Sequence, residues 1–198
     1  SKAVTRVSNT TSWRTCNAIF YQLNPPTGTA NVVINFPTTT TSAIDNRHAG
    51  AFVLYNAAQQ APEVTTTAGA NATTNPVNTA ITPLTAGGVL VDVITRGNTG
   101  SYATTQAGQV EQWDLSCTSS SSATSIKPVT SPGQTLLGWS HTNPNRYAHS
   151  LAGRSWSVRP NAVPTGGVTL APIVSLNRRP TSSGVSRRSP SSRRIARG

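Results

Sequence analysis

The fold is decided most clearly by GVLVDVITR, residues 88–96. Its Val89, Leu90, Val91, Val93 and Ile94 form a nearly continuous run of apolar, mostly β-branched side chains. A short run of this kind, bounded by Gly and polar residues, is typical of a central strand that is covered on both faces. The stretch AGAFVLYNA, residues 49–57, has the same character and predicts a second central strand.

Other strand-like stretches occur before and after residues 88–96, and clusters of Gly, Pro, Asn or Thr separate them. Alternation with a period of two places Trp113, Leu115 and Cys117 on one face of a strand, so Cys117 is expected to be buried with them. The predicted strands are 18–23, 31–36, 49–57, 88–96, 109–117, 134–141 and 147–158, with a short one near 77–81. Residues 38–42 and 118–125 are predicted to be loops. The predicted core contains Phe36, Phe52, Leu54, Val91, Trp113, Leu137 and Trp156.

Composition supports an all-β protein. The 198 residues include 30 Thr and 23 Ser, while charged residues make up only 11%. Small hydroxyl residues favour strands and turns over helices. No apolar run approaches the roughly 20 residues that a membrane-spanning helix needs. We therefore expect an antiparallel β-sandwich and no helical bundle.

The C-terminal part of the chain has a different composition. From residue 177 onward there are seven Arg and no acid, which gives this region +7 of the formal net charge of +11. It has too few apolar residues to form a core of its own. The predicted organisation is an N-terminal segment at 1–17, a β-sandwich domain at 18–160, a connecting segment at 161–176 and an irregular basic arm at 177–198.

The arm admits three interpretations: nucleic-acid binding, docking on acidic or carbonyl groups of a partner protein, and a solvated end without function. Docking is favoured because the arm lacks aromatic residues that could stack on bases. The predicted partner-binding residues are Arg178, Arg179, Arg187, Arg188, Arg193, Arg194 and Arg197.

Few residues are suited to catalysis, and no cofactor or metal site is predicted. Asp45 and His48 fit a polar turn beside Arg47 better than part of a catalytic triad. Glu111 and Asp114 have opposite parity on one predicted strand and so should not form a carboxylate pair. We expect no enzymatic activity.

The two cysteines and the four tryptophans are the other candidate site residues. Cys16 and Cys117 lie 101 positions apart, and either a disulfide or two separate buried thiols is compatible with the sequence. Trp113, Trp139 and Trp156 fall at apolar positions of predicted strands, which favours the core over a sugar-binding surface. Trp13 lies in a polar segment and is expected to be exposed.

Residues 19–36, IFYQLNPPTGTANVVINF, combine a Tyr-x-Leu strand end, a Pro-Pro-x-Gly turn and a following apolar strand. This combination resembles a jelly-roll-like β-sandwich family found in virion proteins of tailed bacteriophages and in secreted bacterial proteins. Similar elements follow at 51–56, 85–93 and 154–158. Members of that family usually have one or two strands before the Tyr-x-Leu strand. Three explanations are open for this chain. Its first strands are degenerate within 1–17, the chain is a processed piece, or a neighbouring chain completes the sheet.

The resemblance implies a fold and, more weakly, a role. We expect a non-enzymatic structural protein of a phage particle, a minor tail or capsid-surface decoration component, located in the virion. Its partners would be other virion proteins in a homo- or hetero-oligomeric assembly. The alternative is an extracellular carbohydrate-binding or adhesion module.

Overall fold

The computed structural model describes residues 2–8, 14–25, 28, 32–34, 46–54 and 58–154. This part of the chain contains ten strands and no helix. None of the described residues therefore belongs to a helix that could cross a membrane. The strands are β1 (Lys2–Ser8), β2 (Arg14–Phe20), β3 (Val64–Ala70), β4 (Val77–Ile81), β5 (Gly88–Arg96), β6 (Tyr102–Thr104), β7 (Val110–Ser116), β8 (Ser121–Val129), β9 (Thr135–His141) and β10 (Tyr147–Arg154).

The strands form three antiparallel sheets. The largest has the order β3-β10-β5-β8-β7, the second has the order β4-β9-β6, and β1 pairs with β2 in a hairpin. Most neighbours in these sheets are far apart in sequence; β10, for example, lies between β3 and β5. The predicted all-β class is confirmed for the described residues.

The main core lies between the five-stranded and three-stranded sheets. Leu90 and Ile94 of β5 point toward the smaller sheet and are fully buried. One cluster contains Val77, Ile94, Tyr102, Ala123 and Trp139, and a second contains Ile81, Leu90, Val129, Leu137 and Leu151. Each cluster takes residues from both sheets, so burial of apolar surface holds the two sheets together.

The other face of the five-stranded sheet is covered by separate segments. The β1–β2 hairpin lies against β10, β5 and β3, where Asn17 donates hydrogen bonds to the carbonyls of Val93 (2.9 Å) and Ala148 (2.8 Å). Residues 46–54 lie against β7, and Gly50 packs directly against the Trp113 indole, where a side chain would collide with the ring. The central strands are therefore covered on both faces, as the run at 88–96 indicates.

Five of the predicted strands correspond to observed strands, and the others do so only in part or not at all. The predictions at 77–81, 88–96, 109–117, 134–141 and 147–158 correspond to β4, β5, β7, β9 and β10, although residues 155–158 lie outside the described part. The prediction at 18–23 overlaps only the end of β2. The strand predicted at 49–57 is wrong in its described part, where Phe52 alone forms an isolated bridge, and 32–34 within the predicted strand 31–36 is not a strand either.

Four strands, β1, β3, β6 and β8, were not predicted. The stretch 118–125, predicted to be a loop, contributes the first five residues of β8, a central and largely buried strand. Its Ser and Thr hydroxyls bond to the neighbouring strand: Ser122 Oγ donates to the Ile94 carbonyl (2.8 Å) and Thr124 Oγ1 to that of Asp92. β3 and β6 were also missed. The polar segment 1–17 contains β1 and the start of β2, so the hairpin crosses the boundary predicted between 17 and 18.

The predicted core is partly wrong. Leu137 is fully buried, as predicted, but Phe52, Leu54, Val91 and Trp113 are only half-buried. Val91 lies on the face opposite to Leu90, because the core side of β5 carries the even-numbered residues. Phe36 and Trp156, and the loop predicted at 38–42, lie outside the described residues.

Candidate functional site

The most highly connected polar group in the core is the carboxylate of Asp92 on β5. Its Oδ1 accepts hydrogen bonds from the backbone N–H of Ser125 (2.7 Å) and from its hydroxyl (2.6 Å). Its Oδ2 accepts from Trp139 Nε1 (2.7 Å) and contacts His149 Nε2 at 2.8 Å. Four contacts satisfy both oxygens, which is the condition for burying a carboxylate without a large penalty.

His149 continues this network across to the second sheet. Its Nδ1 lies 2.8 Å from the hydroxyl of Thr79 on β4. Because both Asp92 oxygens already accept from N–H or O–H donors, the network places an N–H at His149 Nε2, and Nδ1 then accepts from Thr79. Gln109 adds a further link, since it donates to Ser125 Oγ (2.8 Å) and accepts from the Gly138 N–H (2.9 Å). We call Asp92, His149, Thr79, Ser125 and Trp139 the Asp92 cluster.

Asp92, His149 and Thr79 are linked in the order acid, imidazole, hydroxyl, which is the order of a catalytic triad. They lie inside the core, however, and not on an accessible surface. Asp92 and His149 are 0% exposed and Thr79 is 5% exposed, and all three lie between the sheets. A nucleophile must be reached by its substrate. The geometry therefore fits a structural network that ties the two sheets together and fixes their register.

A second polar group lies where the loops after β3, β5 and β9 meet. Arg96 donates to the carbonyls of Asn145 and Thr74, both at 2.8 Å, and its guanidinium lies 5.5 Å from the centre of the Tyr147 ring. His141 Nε2 contacts Ser121 Oγ at 2.9 Å, and burial lowers the pKa of His141. These bonds run to loop carbonyls and hydroxyls, so the group fixes the loop conformations.

The carboxylate prediction for Glu111 and Asp114 is corrected. A β-bulge between Glu111 and Trp113 shifts the register, so Glu111 pairs with Ser125 and Asp114 with Ala123. The two acids therefore share a face, because a bulge adds one residue to the alternation. Glu111 is exposed as a residue, but partial desolvation of its carboxyl, with a smaller contribution from the Asp114 charge, raises its pKa. Asp114 Oδ2 accepts from the Tyr102 N–H (2.8 Å), which gives this acid a structural role.

The structure forms no disulfide between Cys16 and Cys117. Cys16 is exposed on β2, and Cys117 is half-buried just after β7, which is less enclosed than expected. Trp139 is buried, as predicted, while Trp13 lies outside the described residues. His48, which the sequence places in a polar turn, lies close to Cys117.

The predicted partner-binding residues, Arg178, Arg179, Arg187, Arg188, Arg193, Arg194 and Arg197, all lie outside the described residues. Within the described ranges, no group of three or more His, Cys, Asp or Glu side chains lies close enough to hold a metal ion. No protein-family model, curated protein or solved structure matches this chain.

Sequence reasoning missed the Asp92 cluster, although a signal was present. Asp92 interrupts an otherwise apolar run, and a buried acid in a central strand needs donors from neighbouring strands. His149 lies in another predicted strand and was an available partner. The sequence contains no signal for its pairing with Thr79 or for the approach of His48 to Cys117.

Proposed function

We propose that the two larger sheets form a jelly-roll sandwich and that the protein is a non-enzymatic structural component of a tailed-bacteriophage particle, in a minor tail or capsid-surface position. The strand order is the observation that carries this proposal. From β3 to β10 the chain passes from one sheet to the other at almost every step, and only β7 and β8 are consecutive neighbours. Jelly rolls are common in capsid and lectin domains.

The charge distribution supports an assembly role. Residues 1–176 carry nine basic and five acidic residues, a charge of +4, whereas 177–198 carries +7. A basic segment without its own core gains little by folding alone, and paired arginines form strong bidentate bonds with carboxylates. In the proposal the sandwich forms the body and the arm attaches it to neighbouring virion subunits.

The glycan-binding alternative would be favoured by aromatic side chains exposed along a groove. Among the described residues, Trp139 and Tyr102 are buried, and Trp113 is half-buried against Gly50. Tyr102 also packs edge-on to Trp139, with ring centres 5.6 Å apart. These three rings are used for packing, and among the described aromatic residues only Phe20 is mostly exposed. One exposed ring does not line a groove, so the described part of the chain supports the assembly role better.

The test is incorporation of tagged chains into particles isolated from the native source of this protein. We expect the full chain to sediment with the particles and a chain lacking 177–198 to remain at the top of the gradient. Circular dichroism of both chains controls for folding. If the full chain does not sediment with particles, the virion role is wrong; if the truncated chain is incorporated at the normal level, the anchoring role is wrong.

A second pair of variants distinguishes how the arm binds. Replacing all seven arm arginines by Lys keeps the charge but removes the bidentate geometry, and replacing them by Gln removes both. Docking on protein groups predicts that both variants fail to incorporate. Nucleic-acid binding through phosphate charge predicts that the Lys variant is incorporated and that nuclease treatment releases it.

A further inference from the structure

His48 and Cys117 form a pair that neither the fold nor the proposed function requires. Cys117 Sγ lies 3.9 Å from His48 Nδ1, and His48 Nε2 lies 2.8 Å from the hydroxyl of Ser120. Cys117 and His48 are 69 positions apart in sequence and both are half-buried. A thiol, an imidazole and a hydroxyl thus lie in a row on the outer side of the five-stranded sheet.

The local fold positions each member of this row. Cys117 and Ser120 close the turn between β7 and β8, where the Cys117 N–H donates to the Ser120 carbonyl (2.8 Å). His48 belongs to segment 46–54, which lies against the outer face of β7 through Gly50 and Trp113. Asn46 of the same segment donates to Ser119 Oγ (2.5 Å), so the segment is bonded to this turn at two places.

The arrangement suits proton transfer from the thiol. Burial lowers the pKa of His48, so one ring nitrogen is unprotonated and can accept a proton. The same burial makes the ring a weaker base, so its role depends on its position beside the thiol. When Nε2–H donates to Ser120 Oγ, the accepting nitrogen is Nδ1, the atom that faces Cys117. A separation of 3.9 Å is longer than a strong hydrogen bond, and nucleophile–base pairs are often this loose before a substrate binds.

We propose that Cys117 is a nucleophilic thiol, with His48 as its base, and that it exchanges with small disulfides. Cys117 Sγ gives its proton to His48 Nδ1, and the thiolate attacks one sulfur of the incoming disulfide. A new bond forms between Sγ and that sulfur, the disulfide bond breaks, and the leaving thiolate takes the proton from His48. The products are a mixed disulfide on Cys117 and one free small thiol, so no other oxidant is needed.

The chain provides its own matched control. Cys16 is the only other cysteine, it is exposed on β2, and it has the greater solvent access of the two. Cys16→Ser leaves Cys117 as the single thiol, and Cys117→Ser leaves Cys16. If access alone determined reactivity, Cys16 would react faster. If His48 acts as a base, the order is reversed.

The experiment measures the second-order rate of each single-cysteine protein with glutathione disulfide, near pH 7, by mass spectrometry. An unassisted thiol is only a few per cent ionised at this pH, so a thiol whose proton is taken by a neighbouring base should react about tenfold faster, and we expect this ratio between Cys117 and Cys16. His48→Gln should remove this advantage from Cys117 and leave Cys16 unchanged. Ser120→Ala, which removes only the Nε2 acceptor, should lower the Cys117 rate several-fold.

The comparison of Cys117 with Cys16 uses no variant of His48 and decides the proposal even if His48→Gln unfolds the protein. A Cys117 rate below that of Cys16 would overturn it. So would a Cys117 rate that is unchanged by His48→Gln in a protein whose circular dichroism is native.

Discussion

Asp92 shows how much one buried acid can depend on its neighbours. Its carboxylate accepts from Ser125, Trp139 and His149, and it is 0% exposed. Asp92→Asn keeps the shape but places an N–H₂ group opposite donors that needed an acceptor. We expect the free energy of unfolding to fall by about 1–3 kcal/mol, measured by urea denaturation. The control is Glu111→Gln on an exposed residue, for which a change within about 0.5 kcal/mol is expected; equal effects would contradict the role of the cluster.

Two histidines make stability depend on pH. Burial lowers the pKa of both His48 and His141 below 6.5 in the folded chain. As the pH falls below 6.5, the unfolded chain binds protons that the folded chain does not, so stability present above pH 6.5 is lost in acid. Each group can contribute a slope of up to about 1.4 kcal/mol per pH unit. Urea denaturation between pH 7 and 5 should show this loss, and His141→Gln should reduce its slope; a slope that does not change would refute the assignment.

At the scale of elements, the sequence predicts strands best where apolar and polar residues alternate or form a short apolar run. It predicts β5, β7 and β9 for this reason, whereas the strand near 77–81, which is β4, is predicted because the connection 63–85 is too long to be structureless. Residues 118–125 were predicted to be a loop because Ser and Thr carry no hydrophobic signal, yet their hydroxyls bond to β5 inside the sheet. Segment 49–54 was predicted to be a strand because apolar residues that cover a sheet look like residues within one.

Local sequence pattern also does not show which face of a strand is buried or which distant residues come together. The run at 88–96 is apolar on both sides, so the sequence does not show that Leu90 rather than Val91 faces the core. His48 was not expected near Cys117, because their approach depends on how segment 46–54 lies over β7. Such contacts between distant segments are set by tertiary packing rather than by local pattern.

The position of β8 in the core can be tested with one alanine. Ala123 is fully buried against Ile94, Tyr102 and Trp139. Ala123→Leu adds three carbon atoms to a packed site and should lower the free energy of unfolding by about 1–3 kcal/mol. Ala80→Leu is the matched control, because Ala80 is exposed on β4. Urea denaturation of both variants decides the point, and an unaffected Ala123→Leu protein would mean that β8 is not a core strand.

The contact between the hairpin and the large sheet depends on Asn17. Its amide donates to two backbone carbonyls and accepts from Ser150 Oγ (2.6 Å). Asn17→Asp removes both donors and places a charge there, so unfolding should become easier by about 1–3 kcal/mol. Asn71→Asp makes the same change at an exposed site and should have little effect. Thermal unfolding of the two variants gives the comparison, and equal melting temperatures would contradict the docking of β2.

At the scale of the whole molecule, the two ends of the chain should contribute differently to stability. The N-terminal hairpin covers the outer face of β10, where Ala148, Ser150 and Ala152 are buried beneath it or beside it. Removing residues 1–20 would expose that face and leave the partners of Asn17 without their bonds. The arm at 177–198 has seven arginines and only Val185, Ile195 and Ala196 as apolar residues. Its removal takes away almost no apolar surface.

We therefore expect two truncations of similar length to differ in their effect on the free energy of unfolding. Deleting 1–20 should lower the free energy of unfolding by several kcal/mol, since both apolar contacts and buried hydrogen bonds are lost. Deleting 177–198 should change it by less than about 0.5 kcal/mol and reduce the net charge from +11 to +4. Urea denaturation measures the stability change of both truncated chains. It is done at low and at high salt, because high salt screens the effect of the changed net charge. A large loss on deleting 177–198 that persists at high salt would show that the arm packs on its own body, and would count against an arm that serves neighbouring subunits.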